Sequence, residues 1–249
     1  MKPLLTLLFL ALAACSSTPK KPGQPEDQQT KSGADSLVSR PGDSLKVKIV
    51  TAAKDEWIFF GQQKVVINGD EESIPHVGIW EDADASHSDR INQYWSAVGE
   101  YWLSGNDCNQ PWSAAFIGWI MQAAGVSETL FPRAIAHQSY LNHFLANAHN
   151  SGAPLIPHTI QEYKPKPGDL ICANRGEDAP TEAIDELPDS LKAKLHCDIV
   201  VETTGQTLQA IGGNVRNSVS KTILTLSPEG YLQFTSARPW LLIIENRLD

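Results

Sequence analysis

The spacing of apolar positions along the chain changes once, near residue 165. Before that point Leu45, Val47, Val50, Ala53, Trp57 and Phe60 recur at helical spacing, entered through Pro41-Gly42-Asp43-Ser44 and followed by Gly61, which suits the position just past a helix end. Residues 61–86 hold no sustained period and are acidic, so they read as irregular. Ile91, Tyr94, Trp95, Val98 and Trp102 give a second amphipathic stripe starting near Ser88 and Asp89. Asn109-Gln110-Pro111 then opens a third helix, WSAAFIGWIMQAAG, with proline in the first turn, where its missing N–H costs nothing. That helix is apolar nearly all round, which predicts central burial. A fourth, RAIAHQSYLNHFLANAHN, ends at Ser151-Gly152.

Beyond Pro165 short apolar or alternating runs are separated by turn residues. They predict strands at 169–173, 196–202, 207–211, 219–226, 231–236 and 240–245, with turns at Thr204-Gly205 and Pro228-Glu229-Gly230. Helices first and closely spaced strands later indicate an α+β domain, its N-terminal helices packed on an antiparallel β-sheet. Between Arg175 and Leu191 lies an insertion with Glu177, Asp178, Glu182, Asp185, Glu186 and Asp189, expected to be an exposed acidic loop or short helix. No internal repeat is visible.

The first residues obey a different rule. Lys2 precedes an apolar run of about a dozen residues that ends in small side chains before Cys15, the pattern of a secretory signal. A bilayer-spanning helix needs about 20 apolar residues, and this run is too short. Leu12-Ala13-Ala14-Cys15 resembles a bacterial lipobox, which implies cleavage after residue 14, lipidation of Cys15 and attachment to a membrane through the lipid. Ser16 and Ser17 follow, and for a Gram-negative lipoprotein that resemblance implies the outer membrane, with the domain in the periplasm. Residues 15–43 have almost nothing to bury and read as a tether, leaving one folded domain over 44–249.

Composition narrows the partners. The formal charge of −9 becomes −10 once Lys2 is removed, which argues against nucleic acid held through its phosphates. With 41% hydrophobic residues the chain can build a true core, and four Cys are too few for a disulfide-dense scaffold.

Three residues fall in the order nucleophile, base, orienter. Ser113 begins the buried third helix, where free N–H groups and the helix dipole favour an attacking oxygen and its oxyanion. His196 opens the strand HCDIVVE, and Asn214 follows the next strand in AIGGNV, where its amide can orient the imidazole. Trp112, Arg175 and Asp198 border these positions as candidates for holding substrate. Arg175 suits a substrate carboxylate or a fold-supporting ion pair; Asp198, two residues beyond His196 on one strand face, suits tuning of the ring.

The segments PWSAAFIGWIMQAAG, KPGDLICANR, HCDIVVE and AIGGNVRNSVS resemble the bacterial group catalogued as domain of unknown function 2272, which is similar to the NlpC-type and CHAP papain-like peptidases and amidases of peptidoglycan. The resemblance spans roughly residues 46–226. It implies a papain-like fold and a catalytic set in which Ser113 stands where the enzymes carry Cys, with His196 and Asn214 completing it. A serine lacks the low thiol pKa and needs a true general base. The architecture also implies that Cys172 and Cys197 lie on neighbouring strands, placed for a disulfide in an oxidising compartment.

Cys108, five residues before Ser113, is a competing nucleophile, and His76 in PHVGIW is the base of a permuted arrangement with it. His137, His143 and His149 scatter around one predicted helix, so no metal site is expected, and no cofactor. The expected function is hydrolysis of peptidoglycan peptide or amide bonds by Ser113, His196 and Asn214, with the stem peptide as ligand. The alternative is an inactive papain-like domain that binds wall peptide or an envelope protein.

Overall fold

A computed structural model of the chain describes residues 40, 42–107, 109–150, 152–176 and 181–249. The signal segment, Cys15, nearly all of the tether and Cys108 lie outside the described residues, as do Glu177 and Asp178 of the acidic insertion. The elements run α1 (Leu45–Phe59), β1 (Gln63–Asn68), β2 (Glu71–His76), α2 (Ala85–Ala97), α3 (Ser113–Ala123), α4 (His137–Ala146), β3 (Leu155–Thr159), β4 (Leu170–Asn174), β5 (Leu195–Thr204), β6 (Thr207–Val215), β7 (Ser218–Thr225) and β8 (Trp240–Asn246). This is a mixed α+β architecture, and no described helix is long and apolar enough to cross a membrane.

Local chemistry sets the helix starts. The Ser44 side chain caps α1 by accepting from the Val47 N–H. Asp84 Oδ1 accepts from the backbone N–H groups of Ser86 and His87 at 2.9 and 3.1 Å, so α2 begins three residues before the apolar stripe suggested. α3 follows Pro111 and has no side-chain cap, so its first N–H groups are left for another partner. Residues 133–136 are not helical; α4 starts only at His137.

The eight strands form one sheet in the order β2-β1-β7-β6-β5-β4-β8-β3. Every neighbouring pair is antiparallel except β1 with β7, which is parallel, so the expected wholly antiparallel sheet is mixed. Residues 61–86 are not irregular. Val65 and Ile67 alternate with more exposed positions on β1 and bury on the sheet, whereas β2 is an exposed edge strand, which is why the pair shows little hydrophobic period. β3 was also not foreseen, being five residues with a proline at its centre, paired only with β8 at the other edge.

Two cores flank the sheet. α1, α3 and α4 contribute Ile49, Phe116, Ile117, Ile120, Leu141 and others to the larger one, which also takes Cys197, Ile199 and Val201 from β5. The smaller lies on the opposite face and includes Val200, Ala210, Ile243 and Leu232. Burial on both faces gives β5 its nearly continuous apolar run. Residues 231–236 are not a strand; Leu232 and the partly buried Phe234 cover the second core.

A glycine pair in β6 lets the layers close. A Cβ at Gly213 would stand 2.5 Å from Phe116 Cβ and 2.6 Å from the Trp112 ring, so its absence seats the start of α3 on the sheet. A Cβ at Gly212 would overlap Asp198 Oδ1 and stand 3.0 Å from His196 Nε2.

Candidate functional site

Strand alternation decides where His196 points. Cys197 faces the helix-side core, so His196 and Asp198 project to the other face of β5. His196 Nε2 lies 2.7 Å from Asp198 Oδ1. Asp198 is fully buried and also accepts from Arg238 Nη1 at 3.2 Å and from the Thr222 hydroxyl at 3.4 Å. Burial opposes its charge, but His196 and Arg238 outweigh that cost and hold the Asp198 carboxyl below its ordinary value. With its carboxylate taken up by these three partners, Asp198 acts to fix the His196 ring.

Ser113 lies on the other side of the boundary, at the first turn of α3 and buried. The expected Ser113–His196–Asn214 chain of hydrogen bonds is not present. Ser113 Oγ instead meets His137 Nε2 at 2.7 Å, and His137 Nδ1 meets the Tyr140 hydroxyl one turn further along α4. Burial, then the charges of His196 and Arg175, push the His137 pKa well below its ordinary value, so the ring is neutral at physiological pH. The His137 and His196 rings lie 5.6 Å apart, edge to face. Thus the serine has a histidine partner, but from a residue whose position 24 places downstream gave no sign of it. Only its place at the start of a buried helix could have suggested it.

Asn214 sits in a register shift between β6 and β7, at φ +55°, a conformation tolerated by asparagine. It lines a cavity that His196 also lines, but its amide does not bond to the ring. Asp198 holds the place on Nε2 that the sequence assigned to Asn214. Trp112 packs against Phe60 and Tyr94 in the core and gives its indole N–H to Glu81. His76 bonds through Nε2 to the Gly61 carbonyl at 3.0 Å on the edge strand.

Two cavities meet at Arg175. One of about 680 Å³ is lined by Ser113, His137, Trp95, Gln110 and Lys194 among others. The Trp95 indole N–H, although buried, has no hydrogen-bond partner among the described residues. The second, of about 430 Å³, is lined by His196, Asn214, Arg216, Arg238 and Glu72. Arg175 lines both. Behind this junction Cys172 and Cys197, paired across β4 and β5, are joined by a disulfide of 2.07 Å. Among the described residues no group of three or more His, Cys, Asp or Glu side chains is placed to hold a metal ion.

These elements coincide with a known sequence family. A family model described as "Uncharacterized protein conserved in bacteria (DUF2272)" matches residues 104–245. The chain belongs to that family. The DUF2272 segment carries Ser113, His137, Arg175, His196, Asp198, Asn214 and Arg238, and it begins after α2, so α1, β1, β2 and α2 precede the match. No curated protein and no solved structure matches the chain.

Proposed function

We propose that this DUF2272 protein is an acyl hydrolase of the bacterial envelope, cleaving peptide or amide bonds of peptidoglycan with Ser113 as nucleophile. The observation that carries the proposal is the 2.7 Å hydrogen bond from Ser113 to a neutral histidine on the wall of a cavity large enough for a short peptide. Neutral His137, its Nδ1–H held by the Tyr140 oxygen, accepts the hydroxyl proton on Nε2 while Ser113 Oγ attacks the acyl carbon. Nε2 passes that proton to the leaving amine as the C–N bond breaks, and water then attacks the acyl-serine with His137 again as base, releasing the acid and restoring Ser113. The uncapped N–H groups at the start of α3 face the developing oxyanion. His196, fixed by Asp198 through Nε2, keeps Nδ1 free as a further proton acceptor. The papain-like resemblance, the envelope setting and the peptidoglycan substrate rest on the sequence motifs, including the lipobox-like start at Cys15.

One observation favours a second function, binding of wall peptide without turnover. Burial, then the neighbouring His196 and Arg175, hold His137 at low basicity, which makes the proton transfer from serine costly. The two are separated by incubating the full chain with purified sacculi beside Ser113→Ala and His137→Ala. Hydrolysis predicts soluble fragments from the wild type alone, with losses of about 10²-fold or more in both variants. Equal release from all three proteins excludes it, and retained pull-down of sacculi by all three then identifies a binding domain.

A further inference from the structure

The protein is acidic overall, yet three arginines gather around the 430 Å³ cavity beside His196. Their charges do not balance. Glu72 pairs with Arg216 at 2.6 Å and reaches Arg238 at 3.6 Å, while Asp198 takes Arg238 at 3.2 Å. Two carboxylates therefore serve three guanidiniums, and among the described residues no carboxylate forms an ion pair with Arg175. Although Arg175 is exposed as a whole, desolvation in the cavity wall and then the charge of Arg238 push its pKa below the ordinary value. Among the described residues Arg238 has its own partners, and none neutralises Arg175 beside it. Asn214 lines the same cavity, and its amide has no hydrogen-bond partner among the described residues either.

We propose that this cavity is a carboxylate-binding site, in which Arg175 and Asn214 receive the carboxylate of a peptide whose neighbouring part extends into the Ser113 cavity. A planar carboxylate matches a guanidinium fork with two parallel hydrogen bonds. A single negative charge neutralises the surplus of one, whereas a phosphate dianion would add repulsion with Glu72 on the same wall. The carboxylate comes from a free peptide C-terminus or from an acidic side chain. The placement of the peptide's remainder rests on the hydrolase proposal; the binding of the carboxylate does not.

The test therefore uses the full chain carrying Ser113→Ala, so that turnover plays no part. Calorimetric titrations compare acetyl-Ala-Ala with a free C-terminus, acetyl-Ala-Glu-amide, neutral acetyl-Ala-Ala-amide and inorganic phosphate. At least one acidic peptide is expected to bind tenfold or more tightly than the neutral one, and which of the two it is identifies the carboxylate's source. Adding Arg175→Gln should abolish the preference, with unchanged thermal unfolding as the check that the exposed substitution leaves the fold intact. Arg175→Lys should restore part of it. Equal binding of acidic and neutral peptides, no binding of either acidic peptide at 10-fold the concentration range used for phosphate, or a preference that survives Arg175→Gln overturns the proposal. Binding of phosphate alone overturns it as well. A carboxylate preference in a protein that releases nothing from sacculi sinks the hydrolase and leaves this site standing; sacculus cleavage with no such preference does the reverse.

Discussion

Gly212→Ala should damage the protein through one contact. The added Cβ overlaps Asp198 Oδ1 and stands 3.0 Å from His196 Nε2, so it cannot enter while the 2.7 Å bond between those side chains persists. Asp198 is fully buried and has no solvent into which to turn. Loss of a charge-assisted hydrogen bond costs about 1.5–3 kcal/mol, and overpacking adds about 1–3 kcal/mol. Alanine returns about 0.4–1 kcal/mol by restricting the unfolded chain, since φ at this glycine is not positive. The net loss is about 3 kcal/mol, a fall in Tm of about 6–12 °C for a domain of this size. Urea unfolding of the wild type, Gly212→Ala, Asp198→Ala and the double variant measures it. If the clash acts through the carboxylate, Gly212→Ala should cost little once Asp198 is alanine. An equal cost in both backgrounds, or a loss below about 0.5 kcal/mol in the wild-type background, refutes the reasoning.

Further outcomes follow from other contacts. Reduction of the Cys172–Cys197 bridge, whose cysteines are 25 residues apart, should lower stability by about 3.5 kcal/mol on a chain-entropy basis, read as a reductant-dependent fall in Tm. Burial pushes the Asp169 carboxyl up to about 6 against 3.8 unfolded, so the folded state holds the extra proton between those values. Stability from this group is therefore greatest below pH 4 and falls by about 3 kcal/mol as pH rises to 6, a slope that urea titrations should find missing in Asp169→Asn. Asp198 has the opposite sign: its lowered pKa contributes stability above the unfolded value that is lost on acidification, and Asp198→Asn should flatten that acid limb.

What the sequence revealed depended on how local the cause was. α3 was legible because Pro111 and an unbroken apolar surface are both local signals, and β5 because burial on two faces leaves a continuous apolar run. The disulfide followed from family architecture rather than from spacing. His137 was not legible as the serine's partner, because nothing along the chain says that the start of α4 returns to the start of α3. The His196–Asp198 contact was legible, because strand alternation puts both on the face of β5 opposite the helix-facing Cys197. Asn214 lines the same cavity as His196 without bonding to its ring; it lies in a register shift between β6 and β7, and shifts of that kind have no clear signature in one sequence. The β1–β2 pair was missed because its exposed edge strand buries almost nothing.

The strand order carries a consequence for how this chain reaches its native state. β8 lies between β4 and β3, so residues 240–246 supply the hydrogen-bonding edge for two strands that precede them by some 70 residues or more. Until they arrive, β4 presents an open edge beside β5, and β3 has no strand at all with which to pair. A ribosome-bound chain lacking those residues cannot close this half of the sheet. The large loop closure also delays the reward of pairing until late in folding. Pairing of β3 and β4 is consequently complete only once residues 240–246 are present, so the sheet beneath Arg175 and His196 closes late.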